Sequence, residues 1–215
     1  MNISILRLFL MKCFSFLRSG RKSPARDVVV VFALEEEAQG HFDDYDVLYS
    51  GVGKVNAAYR LTRSLALRFR NKQNKPKLIL NLGSAGSPHF KSGVIVNCTR
   101  FIQRDFDATA LGSAPYTTPY ENTPAVLTNG VRYPDFPDGI CGTGDNFSTN
   151  GHTPEWTVVD MEAYALAKIC FLENISFACL KYITDGADGQ AASSWEAGLP
   201  KTSEKLRDAM SSLLG

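Results

Sequence analysis

VVVVFALEEE, residues 28–37, decides the fold. A strand with one face in water alternates apolar and polar residues. An unbroken valine-rich run instead suits a strand buried on both faces, as in a parallel sheet covered by helices. The run ends in three acids, Glu35, Glu36 and Glu37. In a dinucleotide-binding fold the turn at this place is glycine-rich, so that backbone N–H groups can meet a pyrophosphate. Three carboxylates would repel one. Residues 28–37 therefore read as a buried strand whose carboxyl end presents acids.

The rest of the chain repeats the alternation. Leu78–Leu82 (LILNL) is a second buried run, followed at once by Gly83, Ser84, Ala85 and Gly86, read as a turn. Ser176–Thr184 is a third, Asp46–Ser50 and Gly93–Phe101 read as further strands, and Ile140–Cys141 opens a short segment that ends at Gly144–Asp145. Between them lie helical patterns. Val55, Ala58, Leu61, Leu65 and Phe69 recur at three to four residues across Lys54–Arg70, and Ala165, Leu166, Ile169 and Cys170 share one side of Glu162–Asn174. A last helix starts after Ser193 and runs to the C-terminus. Residues 112–138, rich in Pro, Tyr, Thr and Asn, show no clear period and read mostly as loop. Strands alternating with helices predict an α/β single domain over residues 27–215, with a mixed, largely parallel central sheet flanked by helices.

Residues 1–26 are apolar and basic, but Arg7 and Lys12 interrupt the apolar run and no small-residue cleavage pattern follows. They are too short and too charged to span a bilayer, so stable membrane insertion is not expected. The alternatives are a weak amphipathic anchor and a poorly ordered extension ahead of the fold, and we read the second.

Composition narrows the function. With 44% hydrophobic and 21% charged residues the chain is not a disordered one, and a net charge of +1 gives no electrostatic case for nucleic acid or a membrane surface. Cys13, Cys98, Cys141, Cys170 and Cys179 are odd in number and form no C-x-x-C pair, which argues against a disulfide framework or a zinc knuckle. A reducing, cytoplasmic setting is expected. No metal and no cofactor is expected either. GVGKV at Gly51–Val55 lacks the upstream glycine and the hydroxyl residue of a P-loop, and no G-x-S-x-G or H-E-x-x-H motif occurs. His41, His89 and His152 are scattered and read as surface or loop residues. What remains is three acids at strand ends, Glu37, Glu162 and Asp185, where an open α/β sheet binds its ligands. Taken singly, each is better explained by a solvated glutamate or a turn-capping aspartate.

Seen together, several segments resemble one family. FALEEE at Phe32–Glu37, SGVGKVNAA at Ser50–Ala58, NLGSAGS at Asn81–Ser87, RDFDATALG at Arg104–Gly112, GTGDNF at Gly142–Phe147, VVDMEAYALAKIC at Val158–Cys170 and ITDGAD at Ile183–Asp188 occur in that order. They are similar to the 5′-methylthioadenosine/S-adenosylhomocysteine nucleosidase branch of the nucleoside phosphorylase superfamily, over almost everything from residue 27 to the last helix. The resemblance implies cleavage of an N-glycosidic bond to adenine, with a small nucleoside as partner. Asp185 would protonate the purine at N7, Glu37 would activate the attacking water, and Glu162 would bind the ribose hydroxyls and favour the cation forming beside them. Met161 would pack against the sugar, Phe147 would stack on the purine, and Ser84 would hold water or ribose. The backbone after Phe147 and beside Ala108 would read the base edge. Trp195 aligns with an aromatic over the purine, and Lys181 stands where many relatives carry arginine, keeping the charge without the bidentate fork.

The chain departs from that pattern by being short. A hairpin after Glu37 is missing, and the stretch between Gly112 and Gly142 lacks a helical segment that in relatives helps form the lid and the dimer contact. The 5′ substituent and a homodimer are therefore left open. The alternative to hydrolysis is a phosphate-dependent purine nucleoside phosphorylase, or another nucleoside hydrolase of the same fold. Water is favoured, because the first turn offers only acids and no arginine precedes GSAG, whereas phosphate calls for guanidinium forks. Aspartate rather than asparagine at 185 favours a 6-amino purine.

Overall fold

The computed structural model describes residues 27–148, 153–188 and 191–214. The extension at 1–26, with Cys13, and His152 lie outside the described residues. The chain forms eight strands and four helices among them. These are β1 (Val28–Phe32), α1 (Glu35–Ala38), β2 (Asp46–Tyr49), α2 (Lys54–Arg70), β3 (Leu78–Gly86), β4 (Ile95–Gln103), β5 (Val126–Leu127), β6 (Asp138–Thr143), β7 (Val158–Asp160), α3 (Ala163–Glu173), β8 (Ser176–Asp185) and α4 (Ala191–Leu214).

One mixed sheet carries the molecule. β1 pairs in parallel with β2 and β3, β3 with β8, β4 with β6 and β6 with β7, while β3–β7, β4–β5 and β4–β8 are antiparallel. The pairings β3–β8, β8–β4, β4–β6, β6–β7 and β7–β3 close five strands into a ring, with β1 and β2 extending it on one side and β5 on the other. Ring closure leaves the four-residue β2 and the two-residue β5 as the edge strands of the described sheet, and short edges offer little template for pairing with another chain.

β1 shows why its run had to be continuous. Val29 and Val31 enter one apolar layer with Ala57 and Leu61 of α2 and Ala163, Leu166 and Ala167 of α3. Val28, Val30 and Phe32 enter the opposite layer with Ala38 of α1 and Leu206, Ala209 and Met210 of α4. Successive side chains point to opposite faces, and both faces are covered. A fully buried valine or phenylalanine contributes about 1.5–3 kcal/mol, so this strand anchors both layers.

Several elements differ from expectation. The GSAG segment is no turn. β3 continues through Gly86, because β8 pairs with it residue for residue to Ala85 and slips register only between Ala85 and Gly86. In α2, Val55 is 78% and Phe69 86% exposed, and the packed face is Ala57 and Leu61 with Leu65 partly buried. Small side chains on that face let the helix approach the sheet, which a periodicity of large residues did not reveal. β7, three residues long, was not foreseen as a strand. α4 begins at Ala191, ahead of the predicted start after Ser193. β6 begins at Asp138, and the predicted loop at 112–138 contains β5 and a bridge from Gly130 to Phe177.

Candidate active site

A cavity of about 240 Å³ opens where the carboxyl ends of seven strands meet. Ala33, Leu34 and Glu37 follow β1, Val52 follows β2, Ser84–Gly86 end β3, and Arg104 follows β4. Asn146, Phe147 and Ser148 follow β6, Val159–Glu162 end and follow β7, and Asp185 ends β8. Glu37 sits in the single turn of α1, and Trp195 comes from the first turns of α4. Backbone groups at strand ends have left the ladder, so this is where a sheet can present side chains and free N–H groups to a ligand.

Glu37 is 4% exposed and tightly held. Its Oε2 accepts the backbone N–H groups of Ala33 (3.2 Å) and Leu34 (3.3 Å). Its Oε1 accepts the backbone N–H (2.8 Å) and the hydroxyl (2.6 Å) of Ser84. The acidic run becomes the single turn of α1, and this folds Glu37 back over the end of β1. Four donors satisfy a buried carboxylate without a cation, as oxyanion sites do. A Cβ at residue 83 would lie 3.2 Å from Glu37 Oε1, so glycine there leaves room for the carboxylate.

Glu162 ends the β7–α3 connection and reaches across to accept the N–H of Gly53 at 2.8 Å, tying the start of α3 to the start of α2. Burial pushes its carboxyl up to about 8; the charge of Asp160 adds to the rise, and Lys181 and the Gly53 N–H oppose it. Asp160 itself pairs with Lys181 at 2.9 Å, accepts the Thr143 hydroxyl at 2.6 Å, and accepts the N–H of Ala163, first residue of α3, at 2.8 Å. Burial works against its charge, yet Lys181 and these donors hold it below the usual carboxylate range. Lys181 meets the same opposition from burial and is nonetheless raised, chiefly by Asp160.

Asp185, 6% exposed, accepts the Thr184 hydroxyl on Oδ2 (2.8 Å) and the N–H of Ala187 on Oδ1 (2.9 Å). Phe147 is half exposed at the cavity mouth. Arg104 braces the segment that carries it, donating to the carbonyl of Gly142 (3.2 Å) and to both the side chain (2.8 Å) and the carbonyl (2.5 Å) of Asn146.

Of the predicted residues, the fold brings Glu37, Ser84, Phe147, Met161, Glu162, Asp185 and Trp195 to one cavity. It does not bring Lys181 or Ala108. Lys181 is 2% exposed and lies behind the cavity wall on Asp160, because its position in β8 faces the sheet interior. Ala108 precedes a short 3₁₀ turn at Thr109–Leu111 and is buried away from the lining. Sequence reasoning missed Val52, Arg104, Asn146 and Val159. Each sits at or within a few residues of a strand's carboxyl end, the one signal that could have found them. His41 and His89 are exposed, as expected. Among the described residues, no group of three or more His, Cys, Asp or Glu side chains is arranged to hold a metal, and no helix is long and apolar enough to cross a membrane.

Five strands close into a ring, acids from separate strand ends share one cavity, and residues 42–214 match the sequence profile of the phosphorylase superfamily, which places the chain in that class of α/β protein. The 5′-methylthioadenosine/S-adenosylhomocysteine nucleosidase of Haemophilus influenzae (strain PittEE) is 32% identical over 179 residues, 73% of this chain and 75% of its own. That of Marinomonas sp. (strain MWYL1) is 30% identical over 190 residues, 77% of this chain and 79% of its own. The chain belongs to the phosphorylase superfamily, in its 5′-methylthioadenosine/S-adenosylhomocysteine nucleosidase branch. The fold agrees. The Helicobacter pylori nucleosidase of that name, solved with a pyrrolidine-based nucleoside analogue, superposes with a TM-score of 0.75 at 19% identity, covering 89% of this chain and 99% of its own. Futalosine hydrolase of the same organism gives 0.74 at 19%, covering 87% and 96%.

Proposed function

We propose that this protein hydrolyses the N-glycosidic bond of 5′-thio-substituted adenine nucleosides such as 5′-methylthioadenosine or S-adenosylhomocysteine, releasing adenine. The observation that carries the proposal is the convergence of Glu37, Glu162 and Asp185 on one largely apolar cavity. The activity printed in the names of the sequence relatives supports it.

The bond between C1′ and N9 breaks with its electron pair going to the purine, and Asp185 delivers a proton to N7 of the leaving base. Positive charge gathers on the ribose, where Glu162 binds the hydroxyls and, once ionised, offsets that charge. Water attacks C1′ and gives a proton to Glu37, whose four donors fix the direction in which the carboxylate faces. Phe147 stacks on the base and Met161 packs against the sugar. Water rather than phosphate fits the lining. Among the described residues the lining has one arginine, Arg104, which already donates to Gly142 and Asn146, and the groups around Glu37 include no guanidinium.

Two further readings go with this. The exposed row Val52, Val55 and Tyr59 supports a homodimer built through the start of α2. The free, buried thiols of Cys98, Cys141, Cys170 and Cys179 support a reducing cytoplasm.

The test is incubation of the purified protein with 5′-methylthioadenosine or S-adenosylhomocysteine in phosphate-free buffer. Free adenine and reducing sugar in equal amounts are expected. Release only after phosphate is added, with ribose 1-phosphate as product, would make the protein a phosphorylase instead.

A further inference from the structure

Three hydrogen-bonding groups stand in line from α4 to the acid end of β1. The indole Nε1 of Trp195 lies 2.8 Å from Ser84 Oγ, and Ser84 Oγ lies 2.6 Å from Glu37 Oε1. An indole N–H can only donate, whereas a serine hydroxyl has one proton to give and lone pairs to receive. With Trp195 donating to it, Ser84 accepts on that side and its single proton is left for Glu37. The direction of the line is thus fixed by chemistry as tryptophan to serine to carboxylate.

We propose that Trp195 is a positioning residue for Glu37, acting through the hydroxyl of Ser84, in addition to walling the cavity. The inference rests on the reading of Glu37 as the group that activates water. Oε2 of Glu37 is held by two backbone N–H groups and Oε1 by the backbone N–H of Ser84, all of them fixed. The Ser84 hydroxyl is the one donor of the four that can rotate away. It is also a cavity-lining group, so without the indole it is free to turn toward water or substrate. A donor that turns leaves the carboxylate less well aimed, and a general base has to lie within hydrogen-bond reach of the proton it takes. Phenylalanine at this position would keep the aromatic wall and lose the relay, so the indole nitrogen carries the assignment. The geometry needs α4 close to β8 at this point. Gly198 allows it, since a Cβ there would come within 2.9 Å of the Thr184 side chain.

The experiment compares Trp195→Phe, Ser84→Ala and the double variant in the full chain, with adenine release as the readout. Trp195→Phe should lower kcat roughly five- to tenfold, the effect of one hydrogen bond, with KM changed less than twofold. Ser84→Ala should lower it at least as much, and the double variant should be no slower than Ser84→Ala alone, because both changes break one line. Multiplying losses, or a raised KM at unchanged kcat, would overturn the proposal and leave Trp195 as a substrate contact only. A second readout needs no substrate. Only Trp156 and Trp195 give indole N–H signals in a nitrogen-15 NMR spectrum, and the Trp195 signal should move in Ser84→Ala while that of Trp156 stays. If the protein releases no adenine but the signal moves, the reading of the reaction fails and the relay stands. A Trp195 signal indifferent to Ser84 removes the relay whatever the reaction.

Discussion

Gly86 and Asp185 lie so close that any side chain at 86 would have to push the carboxyl aside: a Cβ there would stand 2.5 Å from Asp185 Oδ1. The register slip between β3 and β8 at this point sets the two residues opposite each other. It places the carboxyl of Asp185 against bare backbone at the cavity wall.

Gly86→Ala is therefore expected to displace the Asp185 carboxyl and lower kcat by more than about a hundredfold, the scale on which a misplaced acid acts. The added methyl also meets Val159 and Ala187, each 3.1 Å away, so a stability loss of about 1–3 kcal/mol should accompany it. Steady-state adenine release and thermal melting check both parts. Near-normal turnover in a folded variant would show that Asp185 does not have to sit where it does.

Glu37→Gln and Asp185→Asn should each cost about 10²–10⁴ in kcat but differ in stability. Both oxygens of Glu37 receive N–H donors, so the amide nitrogen of glutamine must face donors on one side, at about 1–3 kcal/mol. At Asp185 one donor is the Thr184 hydroxyl, which can turn to accept from an asparagine nitrogen while Ala187 still donates to the oxygen. Denaturant midpoints should thus fall for Glu37→Gln and stay close to the parent for Asp185→Asn.

Glu162 couples stability to pH. Its carboxyl is raised from an ordinary value of 4.5 to about 8, first by burial and then by Asp160. The folded state therefore holds a proton that the unfolded chain has released. The associated stability is fully present below the unfolded value and is lost as pH rises through about 8. The slope is at most about 1.4 kcal/mol per pH unit. Glu162→Gln, which stays neutral, should flatten the fall in unfolding free energy between roughly pH 5 and 8, measured by urea unfolding against pH. Parallel curves for variant and parent would refute the coupling.

The Lys181–Asp160 pair should behave as a unit. Lys181→Met leaves a buried carboxylate without its cation and should cost about 3–5 kcal/mol. Adding Asp160→Asn removes the orphaned charge and should recover part of that loss, as a double-mutant cycle on melting data would show. Additive losses would mean that the pair is not coupled.

The sequence alone determined the buried strand at Val28–Phe32, the α/β alternation and the acids at strand ends, because these follow from local pattern: a polar residue in that run would have left a buried group unsatisfied, and an acid at a strand end needs only to leave the ladder. Motif order then pointed to the family and to seven residues that share the cavity. Only the tertiary structure decided the rest. Whether GSAG turns or runs on as strand depended on β8 pairing with it from about a hundred residues away. Which face of α2 packs depended on Ala57 and Leu61 meeting the sheet rather than on its larger side chains. Lys181 and Glu162 both carry charge-bearing groups near Asp160, yet one is sealed behind the wall and the other lines the cavity, a difference set by ring closure. The line from Trp195 through Ser84 to Glu37 joins three segments whose separations in sequence carry no signal. Burial and long-range hydrogen bonding are properties of the assembled packing, and that is why they could be read only there.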